Sequence, residues 1–219
     1  MGSAEEDRTE LLELLRKTSV HSAEGESYRL SSGAKSSWYV DCKMAMSLPR
    51  GRALIGKLIF DRVKGDDFDV VGGLAIGAYP IATAVSDAIY EQTGKSVRAF
   101  VVRKEAKRHG LRKMIEGQIR ENDRALIVDD VVTAGGSVIE AITQARKEGL
   151  RVSRVVVLVD REEQEGRQKI EAQGVPFEAL YTLAELLKQE SDGHTKGQDA
   201  RSDPSGTKRQ QSARTASAR

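Results

Sequence analysis

Apolar and polar positions change their period several times along the chain, and each change predicts an element. Leu11, Leu12, Leu14 and Leu15 recur at helical spacing among charged residues, so residues 5–18 are predicted to form an amphipathic helix lying on a sheet or on a partner subunit. Residues 28–33 and 36–41 are predicted as two short strands joined by a turn through Gly33, forming a small hood over residues 20–45 outside the main sheet. From Pro49 the pattern alternates. A helix over 49–63 is followed by a strand at 68–71, a glycine-rich turn at 72–77, a helix from 79 or 80 to 90 and a strand at 97–102. Further on come a strand at 125–128, a helix at 138–148, a strand at 151–159, a helix reaching 173, a strand at 177–182 and a leucine-rich helix at 183–188. Strands alternating with helices in this way predict an α/β fold: a mostly parallel central sheet flanked by helices.

The richest chemistry follows the strand at 125–128, whose branched apolar residues suit a strand covered on both faces. Asp129 and Asp130 close it. Adjacent strand residues point to opposite faces, so the two carboxylates are expected to serve one ligand only if the backbone turns there. After Val131 and Val132 come Thr133, Ala134, Gly135, Gly136 and Ser137, small or hydroxylated residues that let backbone N–H groups close around an anion at the start of a helix. Each half has a plain alternative: an acidic pair that ends a strand, or a turn with a helix cap. Together they suit a sugar diol held by carboxylates and a phosphate held by amides, which describes a ribose 5-phosphate. The stretch has neither the Gly-x4-Gly-Lys pattern nor Gly-x-Gly-x-x-Gly. The glycine-rich turn at 72–77 is expected on the same sheet edge, either facing the same ligand or only turning the chain.

A second stretch, residues 103–117, carries Arg103, Lys104, Lys107, Arg108, His109, Arg112 and Lys113. In a helix Arg103 would lie by Lys107, Lys104 by Arg108 and Arg108 by Arg112, each a like-charge pair, so a loop is expected. Loops of this length are usually functional, and Lys, Arg and His suit a polyanion, with Gly110 and Gly117 as hinges.

Composition narrows the class. The 219 residues carry 35 Lys or Arg against 33 Asp or Glu, a formal charge of +2. Residues 191–219 hold six Lys or Arg and three Asp, which leaves the remainder near −1, and no nucleic-acid partner is expected. That segment has no aromatic or large aliphatic residue, so one domain over 1–190 and a disordered tail over 191–219 are expected. A single cysteine, Cys42, excludes an internal disulfide. There is no apolar run of membrane-spanning length and no signal-peptide pattern, so a cytoplasmic protein without membrane attachment is expected.

The stretch from Arg124 to Ser137 resembles the diphosphoribosyl-binding signature of type I phosphoribosyltransferases. The loop motif Arg103-Lys104-x-x-Lys107-x-His109-Gly110 is similar to that of the orotate phosphoribosyltransferases. The resemblance extends through Ser32, Gly33, Lys35 and Ser36, the Gly72-Gly73 turn and Asp160-Arg161, covering roughly residues 10–188. It implies the type I phosphoribosyltransferase fold and transfer of 5-phosphoribosyl from its diphosphate to orotate. It also implies Mg²⁺ held mainly through substrate oxygens with no direct protein ligand, and a homodimer with shared sites. Arg103, Lys104, Lys107 and His109 would contact diphosphate. Asp129 to Ser137 would hold the ribose and its phosphate, and Thr133, Arg161, Lys35 and Tyr39 would meet orotate, with Lys107, His109, Asp129 and Asp130 as the catalytic set. Arg161 is expected to grip a carboxylate through two parallel bonds, against the alternative of a surface arginine paired with Glu162 or Glu163. Some relatives carry lysine where Ser31 and Ile76 stand here. A purine or uracil phosphoribosyltransferase, and a regulator that senses the phosphoribosyl ligand, are the alternatives.

Overall fold

The computed structural model describes residues 3–23, 27–30, 33–105 and 114–188. The expected tail, Ser31, and Lys107 to Lys113 lie outside the described residues. Helix α1 spans Ala4–Ser19, started by a capping box in which the Ser3 hydroxyl accepts from the Glu6 N–H and the Glu6 carboxylate accepts from Ser3 N–H. Its Leu11 and Leu15 are fully buried, each contributing about 2 kcal/mol of apolar burial.

Strands β1 (Val20–Ser22), β2 (Tyr28–Arg29), β3 (Lys35–Ser36) and β4 (Trp38–Val40) make the hood. It consists of two antiparallel pairs, β1 with β4 and β2 with β3. The expected pairing of two strands across Gly33 is therefore shorter than the sequence pattern implied, and the second strand continues as β4, paired with β1 directly after α1. Helices α2 (Cys42–Ser47) and α3 (Pro49–Val63) follow. Pro49 opens α3, where the missing N–H is no loss.

The remaining elements are β5 (Val70–Leu74), α4 (Ala78–Thr93), β6 (Arg98–Val102), β7 (Ile115–Gly117), β8 (Arg124–Val132), α5 (Gly136–Lys147), β9 (Arg151–Asp160), α6 (Gly166–Glu171), β10 (Phe177–Thr182) and α7 (Leu183–Leu187). The sheet order is β10-β9-β8-β5-β6-β7, parallel throughout except for the antiparallel edge strand β7. One apolar layer joins α1 to α4 and α7 to one face, through Leu54, Ile59, Ile81, Val128 and Leu158. The other joins α5 and α6 to the opposite face, through Ile127, Val138, Ile142, Val157 and Ile170.

Three sequence expectations need correction. Gly72 and Gly73 are in β5 and not in a turn: a Cβ on Gly72 would lie 2.6 Å from the Phe100 ring, and one on Gly73 would overlap the Val128 carbonyl oxygen. Both glycines are there because neighbouring strands leave no volume for a side chain. The turn itself is residues 75–77, with a cis peptide bond between Ala75 and Ile76. The basic stretch does not remain a loop to Gly117, since residues 115–117 pair with β6 as an edge strand. Finally, β8 runs straight through the acidic pair to Val132.

Candidate active site

Strand order reverses between β5 and β8: β6 and β7 continue to one side of β5, β9 and β10 to the other side of β8. Helices leave these two strands on opposite faces, which opens a crevice at their carboxyl ends, the position where open α/β sheets bind ligands. A cleft of about 410 Å³ occupies it, bordered by Ala75, Ile76 and Gly77 after β5, by Asp129, Asp130, Thr133 and Ser137 on β8 and after it, and by Arg29, Tyr39, Lys43, Lys104 and Arg161. A second hollow of about 340 Å³ adjoins it, walled by Leu74, Asp129 and residues 131–138.

The acidic pair reaches one cleft without the expected turn. Val128 and Val132 have the same parity along the strand, yet they join opposite core layers, so the chain rotates about its own axis across Asp129 and Asp130. Each carboxylate also accepts the next N–H: Asp129 from Asp130 at 3.0 Å, and Asp130 from Val131 at 2.9 Å. Asp129 is only 5% exposed. Burial, and then the charge of Asp130 beside it, push its carboxyl well above the ordinary range. Asp130 is more open, with its carboxylate over Gly77, where a Cβ would come within 2.7 Å of it. The Lys43 ammonium lies 2.7 Å from Asp41 and 3.8 Å from Asp130. Partial burial opposes that charge, but the bond to Asp41 and the field of Asp130 hold its pKa above the ordinary value.

Beyond the pair, Gly135 has φ +79°, a left-handed conformation that suits glycine, and it turns the chain into α5. No side chain caps this helix, so its first-turn N–H groups and the Ser137 hydroxyl border the second hollow as an anion cradle.

Across the cleft, Tyr39 packs its ring 5.5 Å from that of Tyr28 and forms part of the wall. Arg161 is 4% exposed and ties the hood to the main sheet, donating from Nη2 to the Ser36 hydroxyl at 2.9 Å and from Nη1 to the Trp38 carbonyl at 3.3 Å. Its Nε and Nη2 also donate to the two carboxylate oxygens of Glu163, at 3.1 and 2.9 Å. The forked edge that was expected to meet a ligand carboxylate is thus engaged by Glu163, although the arginine is buried and not at the surface.

The other expected residues divide. Lys104 borders the cleft, whereas Lys35 is exposed on β3 and is not part of its lining. Arg103 sits in a neighbouring hollow with Ile76 and Tyr79, donating to the Glu105 carbonyl, its Nη1 3.5 Å from Glu116. Lys107 and His109 lie outside the described residues. Ile76 is 71% exposed on the rim of the cleft. The pattern of the sequence did not point to Arg29 or Lys43, and it offered Glu163 only as a surface partner for Arg161.

A carboxylate pair and an amide cradle at the switch point of a parallel sheet define a phosphoribosyltransferase, and residues 46–180 match the phosphoribosyl transferase domain family. Among similar proteins, the orotate phosphoribosyltransferase of Aquifex aeolicus is 41% identical over 181 residues, covering 83% of this chain and 98% of that one. The crystal structure of Mycobacterium tuberculosis orotate phosphoribosyltransferase in complex with Fe(III) dicitrate superposes with a TM-score of 0.71 at 39% identity, covering 83% of this chain and 99% of that one. The same enzyme in complex with 5-phospho-alpha-D-ribosyl 1-diphosphate gives 0.66 at 34% identity, covering 85% and 93%. The chain belongs to the orotate phosphoribosyltransferase family.

Proposed function

We propose that this protein transfers the 5-phosphoribosyl group from 5-phosphoribosyl diphosphate to orotate, giving orotidine 5′-monophosphate and diphosphate. The observation that carries the reading is that Asp129, Asp130, Thr133 and Ser137 border one cleft with Tyr39 and Arg161, so sugar, phosphate and base sites adjoin. The 5-phosphate is held by the residue 133–137 amides and the ribose hydroxyls by the acidic pair. The base lies between the hood and Thr133.

In the reaction the bond from C1 to the diphosphate oxygen breaks with its electron pair going to oxygen. The orotate N1 lone pair forms the new bond, and the N1 proton is released. Asp129 and Asp130 fix the ring while positive charge develops on it, and Lys104 stands beside the departing diphosphate. The resemblance assigns Arg103, Lys107 and His109 to that same charge, the last two lying outside the described residues. Mg²⁺ would spread the charge of the diphosphate. Asp129 and Asp130 provide hard oxygen donors, and no group of three or more His, Cys, Asp or Glu side chains clusters as a metal site among the described residues. With the pair engaged by the ribose hydroxyls, the ion would take its ligands mainly from water and substrate phosphates.

Loss of orotate absorbance on adding 5-phosphoribosyl diphosphate and Mg²⁺ tests the reading, with uracil, hypoxanthine and adenine as controls. A preference for a purine or for uracil would overturn it. The same reading makes the enzyme a cytoplasmic homodimer whose basic loop serves the neighbouring subunit. Mixing Lys107→Ala chains with Asp130→Asn chains is then expected to restore activity that neither parent has, because one hybrid site is intact. No recovery after verified subunit exchange would place the loop over its own chain's site.

A further inference from the structure

Arg161 borders the cleft and bonds to the hood, and its surroundings limit what it can do. A guanidinium has five N–H groups. Among the described residues, Glu163 takes one on Nε and one on Nη2, Ser36 the other on Nη2, and the Trp38 carbonyl one on Nη1. One N–H on Nη1 remains, on a side chain that is 1% exposed and borders the cleft.

Glu163 is placed by backbone that is costly to form. Glu162, Gln164 and Glu165 all have positive φ, 53–56°, which non-glycine residues rarely adopt. The segment is also fastened at both ends. The Glu162 N–H donates to Asp160 at 2.8 Å, and Arg161 N–H donates to the Val132 carbonyl at 2.9 Å. Gly166 lies so close to the phosphate loop that a Cβ would overlap the Thr133 carbonyl oxygen and come within 2.9 Å of Val132. Strain kept in a clamped segment indicates that the carboxylate must stay where it is. A flexible surface pair would need none of this.

We propose that Glu163 is a positioning residue of the base site: it locks the Nε and Nη2 edge of Arg161, so that the arginine presents a single Nη1–H and reads one acceptor of the base, such as a ring carbonyl. This rests on the proposed orotate site. It replaces the forked grip on the base carboxylate, since a second carboxylate cannot use an edge already filled and the pair with Glu163 is locally neutral. Carboxylate recognition then belongs to the cations and amides elsewhere on the cleft.

Steady-state kinetics of Glu163→Gln, Glu163→Ala and Arg161→Ala, together with melting curves, test it. Glu163→Ala is expected to raise KM for orotate about ten- to a hundredfold, the usual cost of a misplaced contact, with KM for 5-phosphoribosyl diphosphate unchanged. Glu163→Gln keeps one acceptor oxygen for the guanidinium and is expected to fall between wild type and Glu163→Ala. A lowered orotate KM in either variant would show that Glu163 competes with the substrate and would overturn the proposal. So would an unchanged orotate KM in both glutamate variants while Arg161→Ala raises it, with the base site standing. If Arg161→Ala leaves orotate KM unchanged as well, it is the base-site reading that fails. Should Glu163→Ala not fold, the comparison of Glu163→Gln with Arg161→Ala decides.

Discussion

Replacing Asp129 and Asp130 together by asparagine is expected to remove nearly all turnover and leave the fold intact. Each carboxylate can accept a charge-assisted bond from a ribose hydroxyl, worth about 1.5–3 kcal/mol, so losing both charges costs about 10²- to 10⁴-fold in kcat/KM. Asparagine keeps an oxygen for the Asp130 and Val131 N–H groups, and the local backbone has no reason to move. Stability shifts the other way. Burial raises the Asp129 pKa in the folded state, so the folded protein binds more protons than the unfolded chain. Asp129 therefore stabilises the fold least at neutral pH, and stability falls as pH rises from the unfolded value near 4 through the raised folded value. The single variant Asp129→Asn is expected to melt higher than wild type at neutral pH without ligand, an advantage that shrinks in acid, where Asp129 is protonated in both states. Near-normal turnover in the double variant would make the pair structural. A lower melting temperature for Asp129→Asn at neutral pH would refute the account of its burial.

These two carboxylates were legible in the sequence because they interrupt an apolar run, and the helices and parallel strands because a 3.6-residue period contrasts with short continuous apolar runs along the chain. What stayed hidden depended on contacts between distant segments. Residues 115–117 form a strand only because β6 offers them an edge, and three residues carry no readable period. The argument from like charges bears on residues 103–112, of which 106–112 lie outside the described residues, and it says nothing of where the stretch rejoins the sheet. Lys43 stands at the cleft because α2 starts directly after β4, and a six-residue helix shows too little periodicity to be seen. Glu163 was visible as a partner for Arg161, but the burial of Arg161 was not: a charged Asp-Arg-Glu-Glu run reads as surface, and only the return of the hood over β9 covers the arginine. The Gly72-Gly73 pair was misplaced for a related reason. Glycine in sequence signals either a turn or a lack of space, and the deciding atoms, Phe100 and Val128, lie on other strands.

That lack of space makes Gly73→Ala the substitution with the largest expected effect on stability. A Cβ at Gly73 would overlap the Val128 carbonyl oxygen and lie 2.6 Å from the Ala78 Cβ. Neither neighbour is a flexible side-chain end. Val128 is in the central strand β8 and fully buried, and Ala78 is the first residue of α4, equally buried. Relief requires β5 to part from β8 or α4 to lift from the sheet, which is overpacking at backbone level and costs at least about 3 kcal/mol. For a chain of this size that corresponds to a fall of about 6–12 °C in melting temperature. Activity is expected to fall as well in the fraction that folds, because Val128 directly precedes Asp129 and Ala78 directly follows the residue 75–77 turn, so the same displacement separates the two walls of the cleft. Thermal melting and kcat/KM at a temperature well below the transition measure the two effects separately. A melting temperature within about 2 °C of wild type would mean that β5 and β8 accommodate the methyl group and that Gly73 is not required by packing.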